Sequence, residues 1–181
     1  MRSEDNIYFI DSSALITVNR FYPKKVFPDL WLYLEELFQQ KRIFSHDMVY
    51  DEIVPSSGPK DDIGKLISKY KSSFYSITNK QGQLALQILA NFPWLIDPRA
   101  KKDEADPWII SLVIEKMESV NMFGNASDFV LVSAESEKSD TKIPAVCKHF
   151  KVRHMNLFQF FDDNGWEFLM NKKSWPTRTL K

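Results

Sequence analysis

The chain has 181 residues, 44% of them apolar, with 24 basic and 24 acidic side chains. That content excludes a disordered protein and is enough for a single core. A net charge of zero excludes a uniformly basic nucleic-acid binder but leaves room for a local charged site.

Residues 7 to 10 form a short apolar run that predicts a buried first strand ending at Asp11. Ser12 or Ser13 is placed to cap a helix running towards Arg20. Pro23 and Pro28 bracket a break. From Asp29, Leu30, Leu34, Leu37 and Phe38 recur at helical spacing. Arg42 to Ser45 reads as a second strand, and Ser45, His46 or Asp47 as the cap of a helix that carries Glu52. Pro55 to Pro59 read as a loop. Asp61 or Asp62 caps a helix through Tyr70, and a further helix is expected from about Gln83 to Leu95. Asp106-Pro107 is a helix start, since proline suits the first turn. The helix it opens is apolar nearly all round, which predicts a central, buried position. Phe129 to Ser133 reads as a strand followed by Glu135. Pro144 opens a helix through Phe150, Val152 to Leu157 gives a last strand, and a short helix follows with Phe158, Phe160 and Phe161.

Strands alternating with helices predict a three-layer α/β/α sandwich with a mostly parallel central sheet. In such folds the chemistry gathers outside the carboxyl ends of the strands. Asp11, Glu52, Asp106 and Glu135 all fall at or near strand ends and helix starts in this reading. Gathered acids repel one another, and a hard divalent cation neutralises them. Ser13 and Ser133 each lie two residues from an acid and are placed to orient it or a bound water. Asp103 and Glu104 add negative charge near Asp106. Each acid taken singly also has a structural explanation: Asp11 and Asp106 as helix caps, Glu52 on a solvated face, Glu135 in a loop. Their order along the chain gives the constellation its weight.

Other chemistries find little support. His46, His149 and His154 lack zinc-ligand spacing. With five glycines, no glycine-rich phosphate loop is present. A response-regulator receiver would need an acidic pair after the first strand, a phospho-acceptor Asp after the third and a Lys after the fifth. A haloacid-dehalogenase-like phosphatase would need Asp-x-Asp where this chain has Asp11-Ser12-Ser13. Cys147, the single cysteine, lies in an apolar helical stretch and reads as a buried structural thiol in a reducing cytoplasm. Glu4 and Asp5 argue against a signal peptide, and no apolar run is long enough for a membrane helix. A cytoplasmic location follows as the expectation.

Four blocks carry a resemblance. They are Tyr8-Phe9-Ile10-Asp11-Ser12-Ser13-Ala14-Leu15, Val49-Tyr50-Asp51-Glu52-Ile53, Asp106-Pro107-Trp108-Ile109-Ile110 and Val132-Ser133-Ala134-Glu135. In this order the chain resembles the PIN-domain ribonucleases, including the VapC-type toxins of toxin–antitoxin pairs, as a divergent branch. The resemblance implies a PIN-like nuclease domain over 1–165 with a C-terminal tail over 166–181. It implies that Asp11, Asp106 and Glu135 hold Mg²⁺ or Mn²⁺, and that Glu52 ligates the metal or orients the attacking water. It further implies an RNA substrate, a protein antitoxin and a homodimer. Two departures stand out: Glu135 replaces the family's usual fourth Asp, and the segment from Pro55 to Lys102 is longer than in the smallest members. The non-enzyme alternative is an interaction module that kept the fold and lost the metals.

Two further expectations concern surfaces. Lys172, Lys173, Arg178 and Lys181 make the C-terminus basic, as a solvated tail or a phosphate contact. Trp31, Tyr33, Phe38, Phe160, Phe161, Trp166, Phe168 and Trp175 exceed what a core this size needs, so part of the set is expected at an interface.

Overall fold

The computed structural model describes residues 6–97, 99, 104–120, 129–136, 138 and 141–168. Five strands form one parallel sheet in the order β3-β2-β1-β4-β5. They are β1 (Ile7–Ile10), β2 (Ile43–His46), β3 (Phe74–Tyr75), β4 (Phe129–Ser133) and β5 (Arg153–Asn156). The connections are helical: α1 (Ser12–Phe21) and α2 (Pro28–Gln39) after β1, and α3 (Asp47–Ile53) and α4 (Asp62–Lys69) after β2. Then come α5 (Asn79–Asn91) and α6 (Asp106–Val120) after β3, α7 (Ile143–His149) after β4 and α8 (Leu157–Asp163) after β5. The chain steps one way across the sheet from β1 to β3, then crosses back to β4 and β5. Right-handed crossovers in opposite directions put helices on both faces. The expected α/β architecture is therefore present, with every described strand pair parallel.

Burial explains the strand sequences. Tyr8, Phe9 and Ile10 are buried, and so is all of β4. Strands covered on both faces read as continuous apolar runs rather than alternating ones. Helix α6 is the central helix anticipated: every residue from Ile109 to Ile114 is buried. Truncating Ile109 or Ile110 to Ala would cost about 2–5 kcal/mol through lost burial and the cavity left behind.

Several boundaries differ from expectation for local reasons. Asp11, not a serine, caps α1, because its carboxylate accepts the Ser13 N–H. Helix α2 starts at Pro28 with no side-chain cap. Helix α5 begins four residues early, at Asn79, because Thr78 and Gln81 form a capping box. It ends at Asn91, before a separate 3₁₀ turn over Pro93–Leu95. The two-residue edge strand β3 was too short to leave a periodic signal.

The aromatic expectation needs a correction. Trp31, Phe38, Phe160 and Phe161 are buried, and Trp166 and Phe168 pack against the core. Trp166 stacks on Phe161 with ring centres 5.6 Å apart, and Phe168 meets Phe161 edge-on at 5.1 Å. The exposed large apolar residues are others, with Phe21 and Phe158 at 64% and 72% exposure among them. Trp175 and the four basic tail residues lie outside the described residues. No described helix is long and apolar enough to cross a membrane.

Candidate functional site

Strand order reverses direction between β1 and β4, and this is where open α/β sheets form their clefts. Asp11 follows β1 and Glu135 follows β4, so both stand at that point. The Asp11 N–H donates to Val132 O at 2.9 Å, joining the two strand ends. Asp11 is 1% exposed. Its Oδ2 accepts the Ser13 N–H at 2.9 Å and the Ser13 hydroxyl at 2.6 Å. Its Oδ1 is buried with no hydrogen-bond partner among the described residues. Such a lone buried oxygen is costly unless something positive meets it.

Glu52 is the sixth residue of the seven-residue α3, near its end rather than its start. It reaches the site by another route: Oε1 accepts the Ala105 N–H at 2.8 Å, immediately before Asp106. Asp106 opens α6. The Glu135 N–H donates to the Ser133 hydroxyl at 3.2 Å, and that hydroxyl also meets His154 Nε2 at 2.9 Å. Asp103 lies outside the described residues.

The charges act on one another. Burial first, then the charges of Asp11, Glu135, Glu52 and Glu104, push the Asp106 carboxyl up to about 8. Burial likewise pushes Asp11 up to about 6, with Glu52 adding to it and the Ser13 hydrogen bonds opposing it. The Asp106 carboxyl therefore feels the charge of the other three acids singled out in the sequence.

The cluster is not closed. Among the described residues, no three His, Cys, Asp or Glu side chains are arranged to hold a metal ion. Two of the acids point their oxygens at other donors. Glu52 holds Ala105 N, and Glu135 holds both Ile143 N (Oε2, 2.9 Å) and Lys142 Nζ (Oε1, 3.1 Å). The donor chemistry nevertheless fits a hard divalent cation, since every candidate ligand is an oxygen and Asp11 offers an unpartnered one. Closing the set requires Glu135 to turn away from Lys142.

Sequence reasoning passed over Lys142, an unremarkable lysine before a proline-containing helix start. Lys142 and Glu135 are separated in sequence, and no local pattern marks their contact. His46, without zinc-ligand spacing in the sequence, has a structural place in the fold. It is buried, its Nδ1 caps α3 by accepting the Met48 N–H, and its Nε2 meets Gln81 Oε1 at 3.2 Å. Burial lowers its pKa, so it is neutral and structural. Cys147 is buried with its thiol pushed far up by burial, which rules out a thiolate at neutral pH.

Beside Glu135 lies an open cleft of about 510 Å³ whose lining includes Thr17, Ser136, Asn156 and the exposed rings of Phe21 and Phe158. It is within the size range of ligand pockets.

No curated protein matches the chain. Among solved structures, the chain is similar to VapBC2 from Rickettsia felis, solved bound to a DNA fragment from its promoter. Identity is 17%, the match covers 83% of this chain and 98% of that one, and the TM-score is 0.46. A family model described as "Domain of unknown function (DUF4411)" matches residues 8–168. That match spans most of the sequence and every block of the acidic constellation, so the chain belongs to the DUF4411 family.

Proposed function

We propose that this protein is a Mg²⁺- or Mn²⁺-dependent endoribonuclease, the toxin of a toxin–antitoxin pair, acting at Asp11, Glu52, Asp106 and Glu135. The observation that carries the reading is the buried, unpartnered Oδ1 of Asp11 at the point where strand order reverses, and the charge of the other candidate acids acting on Asp106 agrees with it. Three other candidate acids raise the Asp106 pKa, and two of them, Asp11 and Glu135, follow the adjacent strands where the order of the parallel sheet reverses. Strongly perturbed acids in such a place are candidates for function. The resemblance of the four sequence blocks to PIN-domain ribonucleases supplies the reaction and the substrate class.

In this reading Asp11, Asp106 and Glu135 hold the cation, and Glu52 either joins them or orients the attacking water. A divalent ion bound there would activate that water and stabilise the leaving oxygen of an RNA phosphodiester. The protein's own part is positioning. Ser13 fixes one oxygen of Asp11 and leaves the other without a hydrogen-bond partner among the described residues. Ser133 fixes the backbone of Glu135. Without a cation Asp106 retains a proton at neutral pH, which relieves the repulsion.

The exposed Phe21 and Phe158 beside Glu135 support a covering partner, either the antitoxin or a second copy. A metal-free interaction module is the second reading, favoured by the internal ion pair of Glu135 with Lys142. Incubating purified protein with single-stranded RNA, with and without Mn²⁺, separates the two. Cleavage that needs the ion supports the nuclease, and no cleavage under any divalent ion supports the module.

A further inference from the structure

We propose that Lys142 is a built-in counter-cation of the carboxylate cleft, which a divalent ion must displace from Glu135 before the cluster can close. The inference rests on the metal-binding reading above and concerns what sets the affinity of that site.

Glu135 has both oxygens engaged. Lys142 Nζ lies 3.1 Å from Oε1, and the Ile143 N–H donates to Oε2 at 2.9 Å. A carboxylate held in this way cannot also face Asp11 and Asp106 with a free oxygen pair. The pair is asymmetric: the Lys142 side chain is 59% exposed and that of Glu135 is 13% exposed. Lys142 therefore has an open path to water, while Glu135 stays inside the cleft. A half-exposed ion pair is weak, whereas a divalent cation meets several carboxylates and the unpartnered Asp11 Oδ1 at once. Exchange rotates the two side chains and also frees Glu135 Oε2 from the Ile143 N–H. Until exchange occurs, the lysine keeps the acids partly neutralised, which explains how Glu135 is tolerated beside Asp11 and Asp106 without a metal.

The test is Mn²⁺ binding by calorimetry on the chelator-stripped full chain, comparing the parent with Lys142→Met, Lys142→Gln and Lys142→Arg. Both neutral variants should bind Mn²⁺ roughly two- to fivefold more tightly, because the competitor is gone. Lys142→Arg should stay near the parent. The gain should persist at about 0.5 M KCl, where a long-range field effect would be screened but a contact pair much less so. Lys148→Met, which removes an exposed charge of the same sign from α7, should leave affinity unchanged. Mn²⁺ binding by Lys142→Met where the parent binds none also supports displacement. If the parent binds Mn²⁺ and neither neutral variant binds more tightly, the counter-cation role is overturned and the metal site stands. If neither the parent nor any variant binds Mn²⁺ at millimolar concentration, the metal-binding reading itself falls and takes this proposal with it.

Discussion

The Ser13 hydroxyl accepts the Ala134 N–H at 3.0 Å while donating to Asp11 Oδ2 at 2.6 Å. One side chain thus ties the loop after β4 to the acid that ends β1, across the point where strand order reverses. Ser13→Ala removes a charge-assisted hydrogen bond from a buried carboxylate and leaves Ala134 N without its acceptor. We expect a loss of about 1–3 kcal/mol in urea unfolding and weaker Mn²⁺ binding. Ser13→Thr should recover most of both. A Ser13→Ala protein as stable as the parent would mean that the bridge is incidental.

The metal-free protein should lose stability as pH rises from about 4 to about 8. Asp11 and Asp106 have folded values raised to about 6 and about 8, above the ordinary 3.8. The folded state therefore binds more protons than the unfolded chain across that interval. The associated stability is fully present below the ordinary value and is lost as pH passes through the folded values. Glu35 and Asp47 have lowered values and act in the opposite direction, but below the ordinary carboxylate range. Buried His46, lowered from its ordinary 6.5, also acts in the opposite direction and offsets part of the loss as pH rises towards that value. Asp106→Asn removes the larger shift. Its chelator-treated Tm should exceed that of the parent by roughly 3–6 °C at pH 8 and converge with it at pH 4. A parent that melts at the same temperature from pH 4 to pH 8 would contradict the raised values of Asp11 and Asp106.

Millimolar Mn²⁺ at neutral pH should raise the parent's Tm by several degrees. An ion that binds the folded form alone stabilises it by mass action, about 2.7 kcal/mol at a hundredfold excess over Kd. Asp11→Asn should abolish most of that rise. A Tm unmoved by millimolar Mn²⁺ would count against a competent site.

How much of this was legible in advance follows the range of each signal. The runs Ile7–Ile10 and Phe129–Ser133 announced the two central strands, because burial on both faces demands unbroken apolar sequence. Asp106-Pro107 announced α6 for an equally local reason. The position of Glu52 was misjudged along its helix, and only the contact with Ala105 N brings it beside Asp106. The engagement of Glu135 by Lys142 was invisible, since no sequence pattern marks a contact between these two positions. The aromatic surplus was also misassigned. Trp31 and Phe161 are core residues, while Phe21 at the end of α1 and Phe158 in α8 face solvent beside the cleft.

Those two rings give a partner prediction. Phe21→Ser with Phe158→Ser should leave Tm within a few degrees, because both side chains are already exposed. The parent should run as a dimer at tens of micromolar in light scattering, or co-purify with the product of a neighbouring open reading frame that relieves its toxicity. The double variant should lose whichever association is present. A monomeric parent with no co-purifying partner would refute the interface.

The central claim is that the carboxylate cluster hydrolyses RNA with a divalent ion, and Asp106→Asn tests it most directly. Cleavage of single-stranded RNA should be followed at millimolar Mn²⁺ for the parent and the variant side by side. The account predicts Mn²⁺-dependent cleavage by the parent and a loss of at least about a hundredfold in the variant, since neutralising one ligand or its supporting shell costs on that order. The variant should also be more heat-stable than the metal-free parent at pH 8, so unfolding would not explain the loss. Asp106→Asn cleaving as fast as the parent would contradict the account.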